Sequence, residues 1–90
     1  MSIAVHPFAP VIIETAQVGR RLRTVTSVRE AAECLLEDWP EKGRGNHYSR
    51  AIRACRNALA EKVTTSSARN AFIQAAQEVD IFVRAEARKG

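Results

Sequence analysis

The segment from Ser27 to Pro40 constrains the fold of this chain more than any other. Ser27-Val28-Arg29-Glu30 has the form of a capping box, in which a serine hydroxyl and a glutamate carboxylate satisfy amides orphaned at a helix start. Val28, Ala31, Ala32, Leu35, Leu36 and Trp39 then recur at helical spacing, one apolar face at about 3.6 residues per turn. Glu30, Glu33 and Glu37 fall on the opposite face. Pro40 ends the helix, because it pushes Trp39 out of the α region.

Before this helix the pattern changes to that of strands. Val11-Ile12-Ile13-Glu14-Thr15 is β-branched, and Arg21-Leu22-Arg23-Thr24-Val25 alternates as a strand with one wet face does. Ala16 to Gly19 joins them as a loop, so the two segments read as a β-hairpin. After Pro40, the polar loop Glu41 to Gly45 leads to a second helix, with Asn46 as its expected N-cap. Tyr48, Ala51, Ile52, Cys55 and Leu59 form its apolar face, and Arg50, Arg53, Arg56 and Asn57 its far side. The hydroxyl-rich break Thr64 to Ser67 caps a third helix with Ala68, Phe72, Ala75, Ala76 and Val79 buried. Asn70, Gln74 and Gln77 make its outer stripe, and Ile81-Phe82-Val83 can form a short third strand against the hairpin.

The expected fold is therefore α+β, an N-terminal hairpin followed by three helices (ββααα), the helices lying on one face of the small sheet. The expected core is Val11, Ile13, Leu22, Val28, Ala32, Leu35, Leu36, Trp39, Ile52, Cys55, Leu59, Phe72, Ala75 and Val79. Ninety residues leave room for one domain with a thin core. We place that domain at 10–83, with an extended segment at 1–9 and a charged, frayed tail at 84–90. No apolar run approaches the roughly 20 residues that span a bilayer. The start is broken by Pro7 and Pro10, lacks a basic leader and does not read as a signal peptide. A cytoplasmic, bacterial-style protein without membrane contact is the expectation.

The residues that carry chemistry are few. Cys34 and Cys55 lie on different helices without CxxC spacing, and His6 and His47 offer no ligand pair at helical spacing, so no metal or cofactor is expected. His47, in the first turn of the second helix, is the most tempting polar residue. Cys55 lies two turns away in the middle of the apolar face, where a thiol is inert. Cys34 is expected on the flank of its helix, nearer solvent, among Glu30, Glu37 and Asp38, which disfavour a thiolate. His47 is expected to bond the preceding loop, and no enzyme is expected.

Charge is more informative in its layout than in its sum of +4. Residues 29–41 hold one arginine against five carboxylates, whereas residues 42–62 hold six basic groups against Glu61. If the two segments are antiparallel helices, much of this field cancels within the molecule or across a dimer. Arg44, Arg50, Arg53 and Arg56, with Arg20, Arg21 and Arg23 of the hairpin, nonetheless suit phosphates. Aromatic residues make up only 6%, and Trp39, Tyr48 and Phe72 point to the core, which leaves no stacking platform for bases. The favoured reading is a non-enzymatic protein-interaction or regulatory module, with a homodimer or an unidentified protein as partner. Its candidate surface is the low-charge face of Asn70, Ile73, Gln74 and Gln77. The alternative is weak nucleic-acid binding through the seven arginines.

These residues also resemble a known family. Pro10-Val11, Ala31-Ala32, Leu35-Leu36 and Trp39-Pro40 carry the likeness. It continues through Gly45, His47, Ala51, Cys55 and Ala58-Leu59, and then Ala68-Arg69, Ala71-Phe72 and Ala75-Ala76. Over roughly residues 8–83 this is similar to the small proteobacterial family called domain of unknown function 982, best known from rhizobial genomes. The third helix of that family usually ends in Ala-Gly, where this chain has Val79-Asp80. Glycine takes the left-handed position after a helix without strain, and aspartate tolerates it less well. The resemblance implies a fold; it brings no activity, cofactor or catalytic residue with it.

Overall fold

The computed structural model describes residues 6–15, 21–37, 39–40 and 44–86. Strands β1 (Pro7–Thr15) and β2 (Arg21–Ser27) are followed by helices α1 (Val28–Glu37), α2 (Asn46–Leu59) and α3 (Thr65–Glu78), and then by strand β3 (Phe82–Ala85). The sheet has the order β2-β1-β3, antiparallel throughout. The α+β order read from the sequence is thus the order observed, third strand included. The expected loop Ala16 to Gly19 lies outside the described residues.

Strand β1 runs from Pro7, earlier than Val11, even though proline cannot donate to a ladder. Its register with β2 shifts between Pro7 and Val11, so both prolines fall at the strand start and in an irregular stretch, where a missing N–H is tolerated. Pro10 still accepts from the Glu86 amide at 2.8 Å, which keeps the chain paired beyond residue 83. Arg69 of α3 fastens the same corner: Nε donates to the Ala9 carbonyl at 2.9 Å and Nη2 to the Glu86 carbonyl at 2.8 Å.

Two of the three helix starts show a local cause in a capping side chain. Ser27 Oγ accepts from the Glu30 amide at 3.2 Å, as a capping serine should. The Glu30 carboxylate reaches one residue further back than a standard capping box, accepting from the amide and hydroxyl of Thr26. Thr64 caps α3, its hydroxyl accepting from the Ser67 amide at 3.1 Å. For α2 the N-cap is Gly45, without a side-chain bond, and Asn46 is already helical, contrary to expectation.

Helices α2 and α3 both end in Schellman motifs without glycine. After α3, the Ile81 amide donates to Ala76 and the Asp80 amide to Gln77, with Asp80 at φ 61°. After α2, Lys62 and Glu61 donate to Asn57 and Ala58, with Glu61 at φ 63°. The departure Val79-Asp80 therefore leaves the helix end where glycine would put it, and aspartate adopts the left-handed backbone.

Helices α1 and α3 pack on the sheet, while α2 lies chiefly on α3 and α1, away from the strands. The expectation that all three helices cover the sheet is corrected here, because α2 buries its small-residue face of Ala51, Cys55 and Ala58 against helices. The core joins Val11, Ile13 and Val25 of the sheet to Val28, Leu35, Trp39, Phe72 and Ile81. Trp39 meets Phe72 with ring centroids 5.6 Å apart.

Three expected core residues are exposed instead: Leu22 at 65%, Leu36 at 63% and Leu59 at 39%. Leu22 pairs with Glu14, whereas Val25 pairs with buried Val11, so the odd-numbered residues of β2 face the helices. A one-residue difference in register moves a side chain to the other face. In α1 the buried arc runs through Val28, Ala31, Cys34 and Leu35, turned away from Leu36. Cys34 is consequently fully buried, not on a solvent flank. Leu59 is the last residue of α2, where the helix ends.

Candidate functional site

The basic surface is built by α2. Arg50, Arg53 and Arg56 recur every three residues, opposite the buried Ala51, Cys55 and Ala58, and all three are exposed. None of their side chains makes an ion pair or hydrogen bond with a described residue. Tyr48, Ser49, Ile52, Arg53, Arg56 and Asn57 line an open groove of about 490 Å³ along this helix. Tyr48 and Ile52 are half-buried and pack on the core, forming its apolar floor.

The other candidate arginines are engaged elsewhere. Arg44 Nη2 donates to the Trp39 carbonyl at 3.1 Å, and its guanidinium lies 5.6 Å from the centre of the Tyr48 ring. Arg44 thus ties the end of the interhelical loop to the residue that closes α1. Arg23 lies 4.0 Å from Glu33, which Arg29 also approaches at 3.6 Å. Arg21 has interactions of its own, and Arg20 lies outside the described residues. Helix α1 touches both β2 and α2, standing between the hairpin arginines and those of α2. The six described candidate arginines therefore do not form one surface.

Two carboxylates of the acidic segment are committed away from the arginines of α2. Glu30 is bonded to Thr26 and Glu33 is paired with Arg23 and Arg29, so these two carboxylates serve the hairpin side. The charge of α2 is left over. Sequence periodicity placed its arginines on one side, but only the packing shows that Arg44 is spent on structure.

On α3, Asn70, Gln74 and Gln77 are exposed and Ile73 is half-buried, so the low-charge stripe exists as a surface. Residues that sequence reasoning missed are Arg69, which clamps two carbonyls, and Tyr48, whose hydroxyl donates to the Leu35 carbonyl at 2.6 Å. That bond and the tilted contact with Trp39, at 6.2 Å, tie Tyr48 to α1.

The nucleophile candidates are sealed. Cys55 is fully buried, and desolvation pushes its thiol up from 9.0 to about 12, so thiolate is scarce at neutral pH. Cys34 is buried as well. His47 is half-buried, and its Nδ1 has no hydrogen-bond partner among the described residues, so the expected bond to the loop is not observed there. No group of three metal-ligating side chains occurs among the described residues. No helix of the described residues is long and apolar enough to cross a membrane.

The molecule is thus a small α+β domain whose three-stranded sheet carries two helices, with a third helix presenting an arginine face that has no ion pair among the described residues. The family model described as protein of unknown function DUF982 matches residues 9–83, and the chain belongs to that family. No curated protein and no solved structure matches the chain.

Proposed function

We propose that this domain is a non-catalytic protein-interaction or regulatory module working in a bacterial cytoplasm. The observation that carries the reading is the exposed face of α2, where the side chains of Arg50, Arg53 and Arg56 have no partner among the described residues and stand beside a groove with an apolar floor. An uncompensated charged face next to half-buried apolar side chains suits recognition of another surface better than it suits chemistry. The sealed thiols support the same reading, since a nucleophile needs access and a depressed pKa. The stripe Asn70, Ile73, Gln74 and Gln77 offers a second contact surface, polar and cheap to desolvate.

The three free arginines also favour a second reading, weak nucleic-acid binding. Against it, the Tyr48 ring has Arg44 over one face and Trp39 beside it, and its hydroxyl is committed, so it lines the groove without an open face on which a base could stack.

Capture from native lysate on the immobilised protein, with and without nuclease, separates the two. A protein partner that survives nuclease and is lost with Gln74→Arg or with Arg53→Glu supports the module and locates its surface. Bound nucleic acid, lost with Arg50→Glu and Arg53→Glu together, replaces the first reading with the second.

A further inference from the structure

We infer that the groove along α2 binds an acidic amphipathic segment of a partner protein, its carboxylates on Arg53 and Arg56 and an apolar side chain on the Tyr48–Ile52 floor. This rests on the reading of the domain as an interaction module and adds the chemistry of the partner.

Charge complementarity identifies the occupant. The chain carries an excess of four positive charges, and Arg50, Arg53 and Arg56 alone place three unpaired charges on one helix face. Among the described carboxylates, Glu30 and Glu33 are held by Thr26, Arg23 and Arg29, and Glu61 lies 3.7 Å from His6. A partner must therefore bring its own anions. Guanidinium groups bind carboxylates as planar forks and shed water readily, so two of them one turn apart can fix a helical or extended acidic stretch.

The floor distinguishes a peptide from a polyphosphate. Tyr48, Ile52 and Leu59 recur at four and seven residues, so they share one flank of α2, and Val63 follows them with 38% exposure. A phosphate backbone gains nothing from this apolar flank, whereas a leucine or phenylalanine of a partner gains by covering it. Helix-in-groove recognition has this form, with apolar anchors in the groove and charges at its rim.

The test uses the full chain and three fluorescent probes read by anisotropy. One is a 14-residue Glu/Leu peptide with leucines at helical spacing, one its scrambled counterpart, and one a 12-nucleotide single strand. The amphipathic peptide is expected to bind about tenfold more tightly than the scramble. Arg53→Glu with Arg56→Glu should remove that binding. Ile52→Gln, which leaves net charge unchanged, should weaken it about fivefold or more. Gln74→Glu, a charge change on α3, should leave it nearly as it was, and thermal melts confirm that each variant is folded.

Equal binding of the scramble, indifference to Ile52→Gln, tighter binding of the oligonucleotide, or no binding at all would each overturn the inference. The broader reading fails differently. A captured protein that ignores the α2 variants but is lost with Gln74→Arg keeps the interaction module and removes only this groove.

Discussion

Asp80 gives the sharpest test of how the structure works. It is the second residue past the end of α3, after the cap Val79, at φ 61°, with its amide bonded to Gln77 and the next amide bonded to Ala76. The left-handed backbone costs an L-residue roughly 1–2 kcal/mol, aspartate at the low end. Its carboxylate also sits at the negative end of the α3 dipole, a further cost of about 0.3–1 kcal/mol. Asp80→Gly removes both, while the greater freedom of glycine in the unfolded chain takes back about 0.5–1 kcal/mol. The net expectation is a gain of about 1 kcal/mol, or some 4–8 °C in melting temperature for a domain of this size. Asp80→Asn separates the causes, since it keeps left-handed tolerance and removes only the charge. It should give about 0.3–1 kcal/mol, reduced by added salt. Urea melts at constant slope are the assay. A glycine variant that is less stable than the parent with an unchanged slope would refute the reasoning, because the strain assigned to residue 80 would not exist.

Three other expectations follow from particular contacts. Glu61→Gly, at the matching position after α2, should stabilise by about 1 kcal/mol in the same melts, since the exposed Glu61 carboxylate lies 3.7 Å from His6 and such pairs contribute little. Arg69→Met removes two charge-assisted hydrogen bonds and should cost about 2 kcal/mol, and Arg69→Lys should not restore it, because one ammonium cannot fork to both carbonyls. Faster amide exchange at Glu86 would show where the loss falls. Cys55 sets a pH dependence: between its unfolded value near 9.0 and its folded value of about 12, the unfolded chain binds fewer protons than the folded one. Stability should therefore fall as pH rises through that window, by up to about 1.4 kcal/mol per unit, and Cys55→Ala should flatten the slope.

Local signals in this sequence were legible where one residue's chemistry decided the outcome. Ser27 and Glu30 mark the start of α1, Thr64 marks that of α3, and apolar spacing finds all three helices. Signals that depend on a partner element were not. Leu22 and Arg23 are alternating residues of one strand, and only the pairing of Val25 with Val11 decides which of them faces the core. Leu36 and Cys34 flank Leu35 on either side, and α1 buries the cysteine because of what packs against it, not because of its own pattern. The arginine face was legible as a helical spacing. That Arg44 and Arg23 are spent on a carbonyl and a carboxylate depends on residues brought together by the fold.

That last point bears on function more than on fold. Adjacent segments of opposite charge invite the conclusion that they neutralise one another, yet Glu30 and Glu33 find their partners in β2 and within α1. Helix α1 turns Glu30 and Glu33 toward β2, on the side away from α2, because its capping glutamate must reach Thr26 and the next turn of carboxylate then meets Arg23. The geometry of one helix start thereby commits two carboxylates of the segment to the side of β2. A face of like charges stores repulsion that an isolated domain gains nothing by keeping. Removing it costs only exposed side chains, so Arg50→Gln, Arg53→Gln and Arg56→Gln together should leave the fold intact. What such a face can gain is a partner that supplies the missing carboxylates, and the apolar floor beside it fixes where that partner lies.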